Sequence, residues 1–369
     1  MDDYFETRRS RAPVLLHVLG AIIIGAAAYE MGSLLGAVAG MQLLFDIPSY
    51  ILVLAIGLVA ALLLSIPSLR IVSTILGILV VIMGIGFMVT AIMVKPALPE
   101  IIKGSFIPSF PGPRAGTLVL ALIGTTIVPY NLFLGSGLSK AGQSLKEMRL
   151  GLGIAIILGG IFSMAVLIAG SAISGEFTFE ALAGILEDKM GSSGKHLLGF
   201  GLFAAGFTSA VTAPLAAAVT LSGLYGQRNY EKWKTGSWRF RLAWIIVLLT
   251  GIIFASLNIK PIPAIILAQA LNGFLLPFVS IFLYLVIKKN IYRTSVLNRL
   301  SDIFMLCVIY ITLIIGLNSA LKAILSITGN EYTQNLADQL VIAGLSLIIV
   351  TGVGIMAVRN KDKQVFNQR

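Results

Sequence analysis

Long apolar stretches dominate this chain and limit what it can fold into. Ten segments are long enough to cross a hydrocarbon layer of ~30 Å, for which a helix needs about 20 residues. They are residues 13–45, 48–66, 71–95, 116–141, 150–174, 196–224, 241–258, 262–287, 300–325 and 337–358. Hydrophobic residues make up 57% of the sequence, and only short polar connections separate the segments. The pattern excludes a soluble globular domain and predicts an all-α, polytopic membrane helix bundle of about ten transmembrane helices.

The distribution of charge supports this class of protein. The formal net charge of +11 would by itself suit a nucleic-acid partner. However, most of the 27 Lys and Arg residues fall in connections that share one membrane face if the N-terminus is cytoplasmic. Such an asymmetry orients membrane helices. We therefore predict a multi-pass protein of the cell membrane with both termini in the cytoplasm and no nucleic-acid partner.

One apolar segment, residues 116–141, is interrupted at its midpoint by the sequence Val-Pro-Tyr-Asn. Pro129 has no N–H to donate, so the Thr125 carbonyl loses its helical partner. Inside a membrane such a carbonyl is tolerated only where protein buries it or where it faces a polar cavity. Tyr130 and Asn131 add polar side chains beside the break. The sequence therefore predicts a cation site of the kind that secondary transporters build from interrupted helices, and a simple proline kink is the alternative.

Three further polar residues lie inside apolar segments. Gln269 and Asn272 are three positions apart and share one face of a helix, where their amide oxygens could bind a hard cation or join another helix. Glu30 is the only carboxylate well inside an apolar segment. Burial disfavours the charged form of a carboxyl group, which suits a residue that takes up and releases protons. The alternative is a glutamate near the outer interface that reaches water.

The sequence offers little for catalysis. No pair of deep His, Asp, Glu or Cys side chains is available, so we predict that the chain is not an enzyme and has no cofactor. Its one cysteine, Cys307, can form no internal disulfide.

Some connections carry a signal of their own. Residues 96–115 are rich in proline and predict an irregular cap. Residues 175–195 have apolar side chains at positions 179, 182, 185 and 186, which predicts a short amphipathic surface helix. The three tryptophans, Trp233, Trp238 and Trp244, predict a belt at the membrane interface.

Four segments together resemble the Nramp family of divalent metal transporters. The segments GTTIVPYNLFLGSGL, FGLFAAGFTSAVTAPLAAA, ILAQALNGFLLPF and YEMGSLLGAVAGMQLLFDIP resemble its broken sixth, its eighth, its tenth and its third helix. The resemblance runs across nearly the whole chain. It implies one transporter domain over residues 1–369 with an inverted-repeat fold of the amino-acid-permease type, which works by alternating access. Residues 116–287 would form the second five-helix repeat, 13–95 the remainder of the first, and 300–358 two peripheral helices.

The resemblance also implies roles for single residues. Thr125 stands where an alanine carbonyl binds the metal, Gln269 at a glutamine that helps to close the site, and Glu30 at an acidic residue of the proton route. Val128 stands at the family's methionine ligand and Tyr130 at its histidine. Without the thioether, the site loses the soft ligand that favours manganese and iron over magnesium, so hard ions become plausible substrates.

The expected metal site therefore consists of Thr125, Asn131 and Gln269, with Tyr130 and Asn272 close by. Its expected substrate is a divalent cation, manganese-like, iron-like or magnesium. Protons are a candidate second substrate, carried by Glu30.

The family's first helix carries an Asp-Pro-Gly-Asn-like break, and no such motif precedes residue 116. The resemblance thus implies that the first two helices of the fold lie outside this chain, so a missing N-terminal segment or a second chain is a candidate partner. Two alternatives remain open: an amino-acid permease relative of the same fold, and a transport-inactive fragment or scaffold.

Overall fold

The computed structural model describes residues 8–107, 122, 128, 130–131, 134–135, 144–173, 177–225, 229–257, 261–290, 296–327 and 336–367. Within these ranges the fold contains helices and no strands. The helices are α1 (Arg8–Gln42), α2 (Ser49–Leu64), α3 (Leu69–Val94), α4 (Leu98–Phe106), α5 (Leu145–Gly170), α6 (Phe179–Met190), α7 (Ser192–Tyr225), α8 (Tyr230–Trp233), α9 (Trp238–Ala255), α10 (Pro261–Asn290), α11 (Val296–Ile327) and α12 (Leu336–Asn367).

The apolar segments of the sequence form the long helices. Eight helical stretches of the described chain are long and apolar enough to cross a membrane, and α2 is an apolar helix of 16 residues. The bounds of α2 and α3 differ by no more than two residues from the predicted segments 48–66 and 71–95. The predicted all-α membrane helix bundle is confirmed. The predicted segment 116–141 lies largely outside the described residues.

Serine side chains begin several of these helices. Ser144 and Glu147 form a reciprocal capping box at the start of α5, in which each side chain accepts a hydrogen bond from the other residue's backbone N–H. Ser68 and Ser237 accept hydrogen bonds from backbone N–H groups in the first turns of α3 and α9. These contacts satisfy donors that a helix leaves unpaired at its first turn.

The chain divides into two compact units. Unit 1 comprises Met1–Gly25, Phe110–Pro129 and Ile266–Arg369, and unit 2 comprises Ala26–Ser109 and Tyr130–Ile265. Helix α1 passes from unit 1 to unit 2 after Gly25, and α10 passes from unit 2 to unit 1 after Ile265.

Unit 2 is organised around α7, which packs against α2, α3, α6 and α9. One buried apolar cluster joins α3, α5, α6 and α7 with the turn after α1. Its members are Leu43, Phe87, Ala91, Ala165, Ala169, Leu182, Ala183, Leu186 and Leu198. Helix α6 contributes Leu182, Ala183 and Leu186 to it, so the amphipathic surface helix predicted within residues 175–195 is confirmed.

Helices α1 and α7 touch along a seam of small residues. A Cβ atom at Gly206 would lie 2.2 Å from the Ala37 backbone nitrogen, and one at Gly40 would lie 2.4 Å from the Phe203 backbone nitrogen. Real Cβ atoms do not approach backbone atoms so closely. Glycine is therefore required at both positions for the two backbones to meet.

Unit 1 is built from the start of α1, most of α10, and helices α11 and α12. Its buried apolar cluster consists of Tyr284, Ile309, Leu313, Val350, Val353 and Ala357. Near the end of α10, Lys288 forms a half-buried ion pair with Asp302 of α11. Further along α11, Gly316 leaves room for the ring of Pro277, which would lie 2.6 Å from a Cβ atom there.

Two predictions about the connections are wrong in part, and residues 108–115 of the predicted cap lie outside the described residues. Residues 98–106 form helix α4 and not an irregular cap, because Pro99 occupies the first helical turn, where its missing N–H removes no hydrogen bond. Trp238 is 70% exposed, as a belt residue should be, but Trp244 is buried. It lies on the buried face of α9, one turn from Phe240 and Val247.

Candidate functional site

The expected helix break is seen at Val128. Leu122 is helical, Val128 is not, and the residues Tyr130, Asn131, Leu134 and Gly135 are helical again. Val128 and Tyr130 are buried, whereas the Asn131 side chain is exposed. Thr125, whose carbonyl the sequence predicts to be freed, lies outside the described residues.

Glu30 is fully buried in α1 within unit 2. Neither carboxyl oxygen has a hydrogen-bond partner among the described residues. Its Cγ atom lies against Gly251 of α9, where a Cβ atom would come within 2.2 Å of it. The glycine thus provides the space for the carboxyl-bearing side chain. A buried polar group without a partner is costly, so a retained one points to a function.

An aromatic pair lies beside Glu30. The rings of Tyr29 and Tyr130 meet edge to face, with their centroids 5.6 Å apart. Tyr130 is 2% exposed, and its ring partner Tyr29 directly precedes Glu30 in α1. The fold therefore brings the expected proton residue and one expected metal-site residue together in unit 2.

Asn272 is the second buried polar group of interest, and it belongs to unit 1. Its side chain is 0% exposed, and neither its amide oxygen nor its amide nitrogen has a hydrogen-bond partner among the described residues. The amide oxygen faces Gly25 of α1, where a Cβ atom would lie 3.0 Å away. Gln269 lies about one turn earlier on the same helix, as the sequence predicts, and its side chain is outside the described residues.

The donor types available in the described chain restrict the kind of metal site it could hold. Over those residues no group of three or more His, Cys, Asp or Glu side chains is close enough to hold a metal ion. The hydroxyl groups of Thr208 and Thr212 donate to carbonyls of their own helix, α7, at 3.1 and 2.7 Å. The ligands that the sequence predicts are amide and carbonyl oxygens, and such oxygens suit hard cations.

Sequence reasoning missed the two glycines that accommodate these polar side chains. Gly25 precedes Glu30 in α1 but faces Asn272, and Gly251 faces Glu30 from α9. Both lie in segments that contain other small residues, so their spacing alone does not distinguish them. A tightly packed glycine opposite a buried polar residue is a signal that appears only once the helices are placed in space.

The comparisons with known proteins agree with this architecture. The family model described as "Natural resistance-associated macrophage protein-like" (Nramp) matches residues 3–322. A similar relative is the "Divalent metal cation transporter MntH" of Mycobacterium tuberculosis, 25% identical over 289 residues, which are 73% of this chain and 65% of that protein. Another is the "Metal transporter Nramp5" of Oryza sativa subsp. japonica, 27% identical over 293 residues, or 73% of this chain and 54% of the relative.

The chain thus spans less than two thirds of the length of these relatives. Among solved structures, it is similar to a crystal structure of a mutant manganese transporter of Eremococcus coleocola, with a TM-score of 0.70 and 20% sequence identity. That match covers 96% of this chain and 81% of the other, so it supports the fold over nearly the whole sequence. The family model covers far more than half of the residues. This membrane protein belongs to the Nramp family.

Proposed function

We propose that the chain moves divalent metal cations across a membrane by alternating access, and that protons accompany them. The relatives named as metal transporters support the substrate class. The observation on which the proposal depends most is Asn272, whose amide is completely buried and has no partner among the described residues. An amide oxygen in that condition is available to a cation that reaches it.

The proposed cation ligands are oxygen atoms. They are the Thr125 carbonyl and the side chains of Asn131, Gln269 and Asn272, and Tyr130 is a further proposed residue of the site. Because Val128 provides no thioether sulfur, the site lacks the soft ligand that would favour iron or manganese strongly over magnesium. We infer that manganese and magnesium are both substrates and that soft cadmium is a poor one.

Glu30 is the proposed proton carrier. Its buried carboxyl group belongs to the residue that follows Tyr29, the ring partner of Tyr130, and it forms no ion pair among the described residues. A proton neutralises the group in its apolar surroundings, and its release requires a path to water. Such a group changes its charge only when the surrounding helices change its access to solvent.

The proposed location is the cell membrane, with both termini in the cytoplasm.

The test is metal uptake by liposomes that contain the purified chain. A manganese-sensitive dye inside the vesicles reports Mn²⁺ entry, and excess Mg²⁺ or Cd²⁺ outside reports competition. We expect uptake above that of empty vesicles, with stronger inhibition by Mg²⁺ than by Cd²⁺. Absence of both manganese uptake and manganese binding would contradict the proposal, and stronger inhibition by Cd²⁺ would contradict the oxygen-ligand site.

The role of Asn272 can be tested by replacing it and comparing the effect with that of a matched replacement on the same helix. Asn272→Ala removes the unpartnered amide and should lower uptake at limiting Mn²⁺ about tenfold, which corresponds to ~1.4 kcal/mol of lost interaction. Ser280→Ala changes another buried polar residue of α10, but the Ser280 hydroxyl already donates to the Leu276 carbonyl at 2.9 Å. Equal uptake by both variants would exclude Asn272 as a ligand.

A further inference from the structure

Helix α4 presents an apolar face that the described residues of the protein leave exposed. Leu98, Ile102 and Phe106 are 70%, 60% and 81% exposed. At 3.6 residues per turn they fall, together with the half-buried Ile101, within an arc of about 140°. We call these four side chains the α4 stripe. The charged residues Glu100 and Lys103 lie on the opposite side of the helix, so α4 is amphipathic.

Helix α6 shows what an amphipathic helix of this unit looks like when the protein covers it. Its apolar residues Leu182 and Leu186 are 4% and 0% exposed, because they pack into the cluster formed with α3, α5 and α7. No residue of the described part of α4 is buried to that extent. The described part of the chain therefore does not provide the apolar surroundings that the α4 stripe requires.

The length of α4 leads to the same requirement. It contains 9 residues, whereas isolated helices shorter than about 12–15 residues are marginal in water. No residue of α4 is buried, so packing against the described residues adds little of the stability that a helix of this length needs. An apolar surface next to the stripe would provide the missing stabilisation.

The position of α4 in the chain identifies that surface. Helix α3 exposes Ile78, Ile85 and Ile92 at 56%, 57% and 68%, and in a membrane protein such side chains contact lipid. Helix α3 ends at Val94, and Lys95 then adopts a left-handed conformation with a φ of 53° that turns the chain. Helix α4 begins at Leu98, so it starts within a few residues of the lipid-facing surface of α3.

We propose that α4 lies in the plane of the membrane interface, with the α4 stripe in contact with lipid acyl chains and with Glu100 and Lys103 directed to water. Amphipathic helices of this type place their apolar side chains ~5–10 Å into the boundary between headgroups and acyl chains. The occupant of the stripe is the bilayer itself. The helix thereby fixes the depth at which the end of α3 meets the interface.

Spin labels on single cysteines test this placement in liposomes that contain the full chain. Cys307→Ser first removes the only native cysteine. Cysteines are then introduced singly at Leu98, Ile102 and Phe106 on the stripe, and at Lys103 and Gly104 on the other side. Collision of each label with oxygen, which concentrates in lipid, is compared with collision with a water-soluble nickel complex.

We expect the oxygen-to-nickel collision ratio to exceed one at the three stripe positions and to fall below one at positions 103 and 104. A nickel-dominated ratio at all five positions would place α4 in water and overturn the proposal. Exclusion of both reagents from the stripe would show that protein covers it, a second copy of this chain included, and would also overturn it. The three stripe positions report the same surface, so a variant that fails to fold leaves two others.

Discussion

Two of the buried polar residues, Glu30 and Asn272, share one arrangement, in which a glycine on a neighbouring helix makes room for the side chain. Glu30 faces Gly251, and Asn272 faces Gly25. Each unpaired buried polar group costs about 1–3 kcal/mol relative to a hydrogen-bonded one. A methyl group at either glycine would occupy the space that the polar side chain now fills. The two glycines therefore allow Glu30 and Asn272 to be buried although neither forms a hydrogen bond among the described residues.

Replacement of the Glu30 carboxyl group should separate metal transport from proton transport. Glu30→Gln keeps the shape of the side chain and removes its proton exchange, so we expect Mn²⁺ uptake that no longer responds to an imposed pH gradient. The midpoint of thermal unfolding should stay equal or rise, because the amide occupies the same space and cannot ionise in the apolar surroundings. Uptake into liposomes with and without a pH gradient measures the effect.

The exposed carboxylate of Glu187 on α6 provides the control for this change. Glu187→Gln should leave the response to the gradient unaltered. If Glu30→Gln retains the full response as well, Glu30 does not carry the proton.

The contact between Glu30 and Gly251 can be measured as a coupling energy. Gly251→Ala places a Cβ atom where it would lie 2.2 Å from the Glu30 Cγ atom and should lower the stability of the chain by about 1–3 kcal/mol. In a Glu30→Ala background the same change should cost less, because that Cγ atom is gone. Thermal unfolding of the four proteins of this cycle gives the coupling, and additive effects would show that the two residues are independent.

The sequence alone points to the polar residue of each pair, Glu30 or Asn272, but not to the glycine that faces it. Glu30 and Asn272 are conspicuous because polar side chains are rare in apolar segments. Gly25 and Gly251 are not conspicuous, since the sequence contains 38 glycines and only long-range packing selects these two. The same limitation explains Trp244, whose burial depends on which face of α9 meets its neighbours.

At the level of helices, the length of each apolar segment is the reliable predictor. A membrane-crossing helix must satisfy its own backbone and span a fixed thickness, so its bounds follow closely from hydropathy. Helix α4 was not predicted because residues 96–115 are rich in proline, although Pro99 at the first turn is compatible with a helix. The cation site is less predictable, because it depends on the relative positions of several helices.

The seam between α1 and α7 yields a prediction about helix packing. Gly206→Ala would bring a Cβ atom within 2.2 Å of the Ala37 backbone nitrogen, so we expect a loss of about 1–3 kcal/mol of stability and a lower midpoint of thermal unfolding. Gly223 of the same helix provides the control, because a Cβ atom there would have no other atom within 4 Å. Gly223→Ala should be neutral or stabilising, since alanine favours helix. Equal destabilisation by both changes would contradict close packing as the cause.

For the molecule as a whole, the charge pattern predicts an orientation that chemical labelling can test. In the Cys307→Ser background, a cysteine at Lys103 should react with a membrane-impermeant maleimide added to intact cells. A cysteine at Lys146, which is exposed at the start of α5, should react only after the membrane is permeabilised. Reaction of Lys146→Cys in intact cells would reverse the predicted orientation.

The glycine seam also has a mechanical consequence. Backbone atoms of α1 and α7 meet with almost no side-chain volume between them, so neither helix can roll about its own axis without a collision. The section of α1 from Ala26 onward and α7 therefore behave as one stiff frame. In the proposed alternating access, the helices that move must therefore shift against that frame and leave it undistorted.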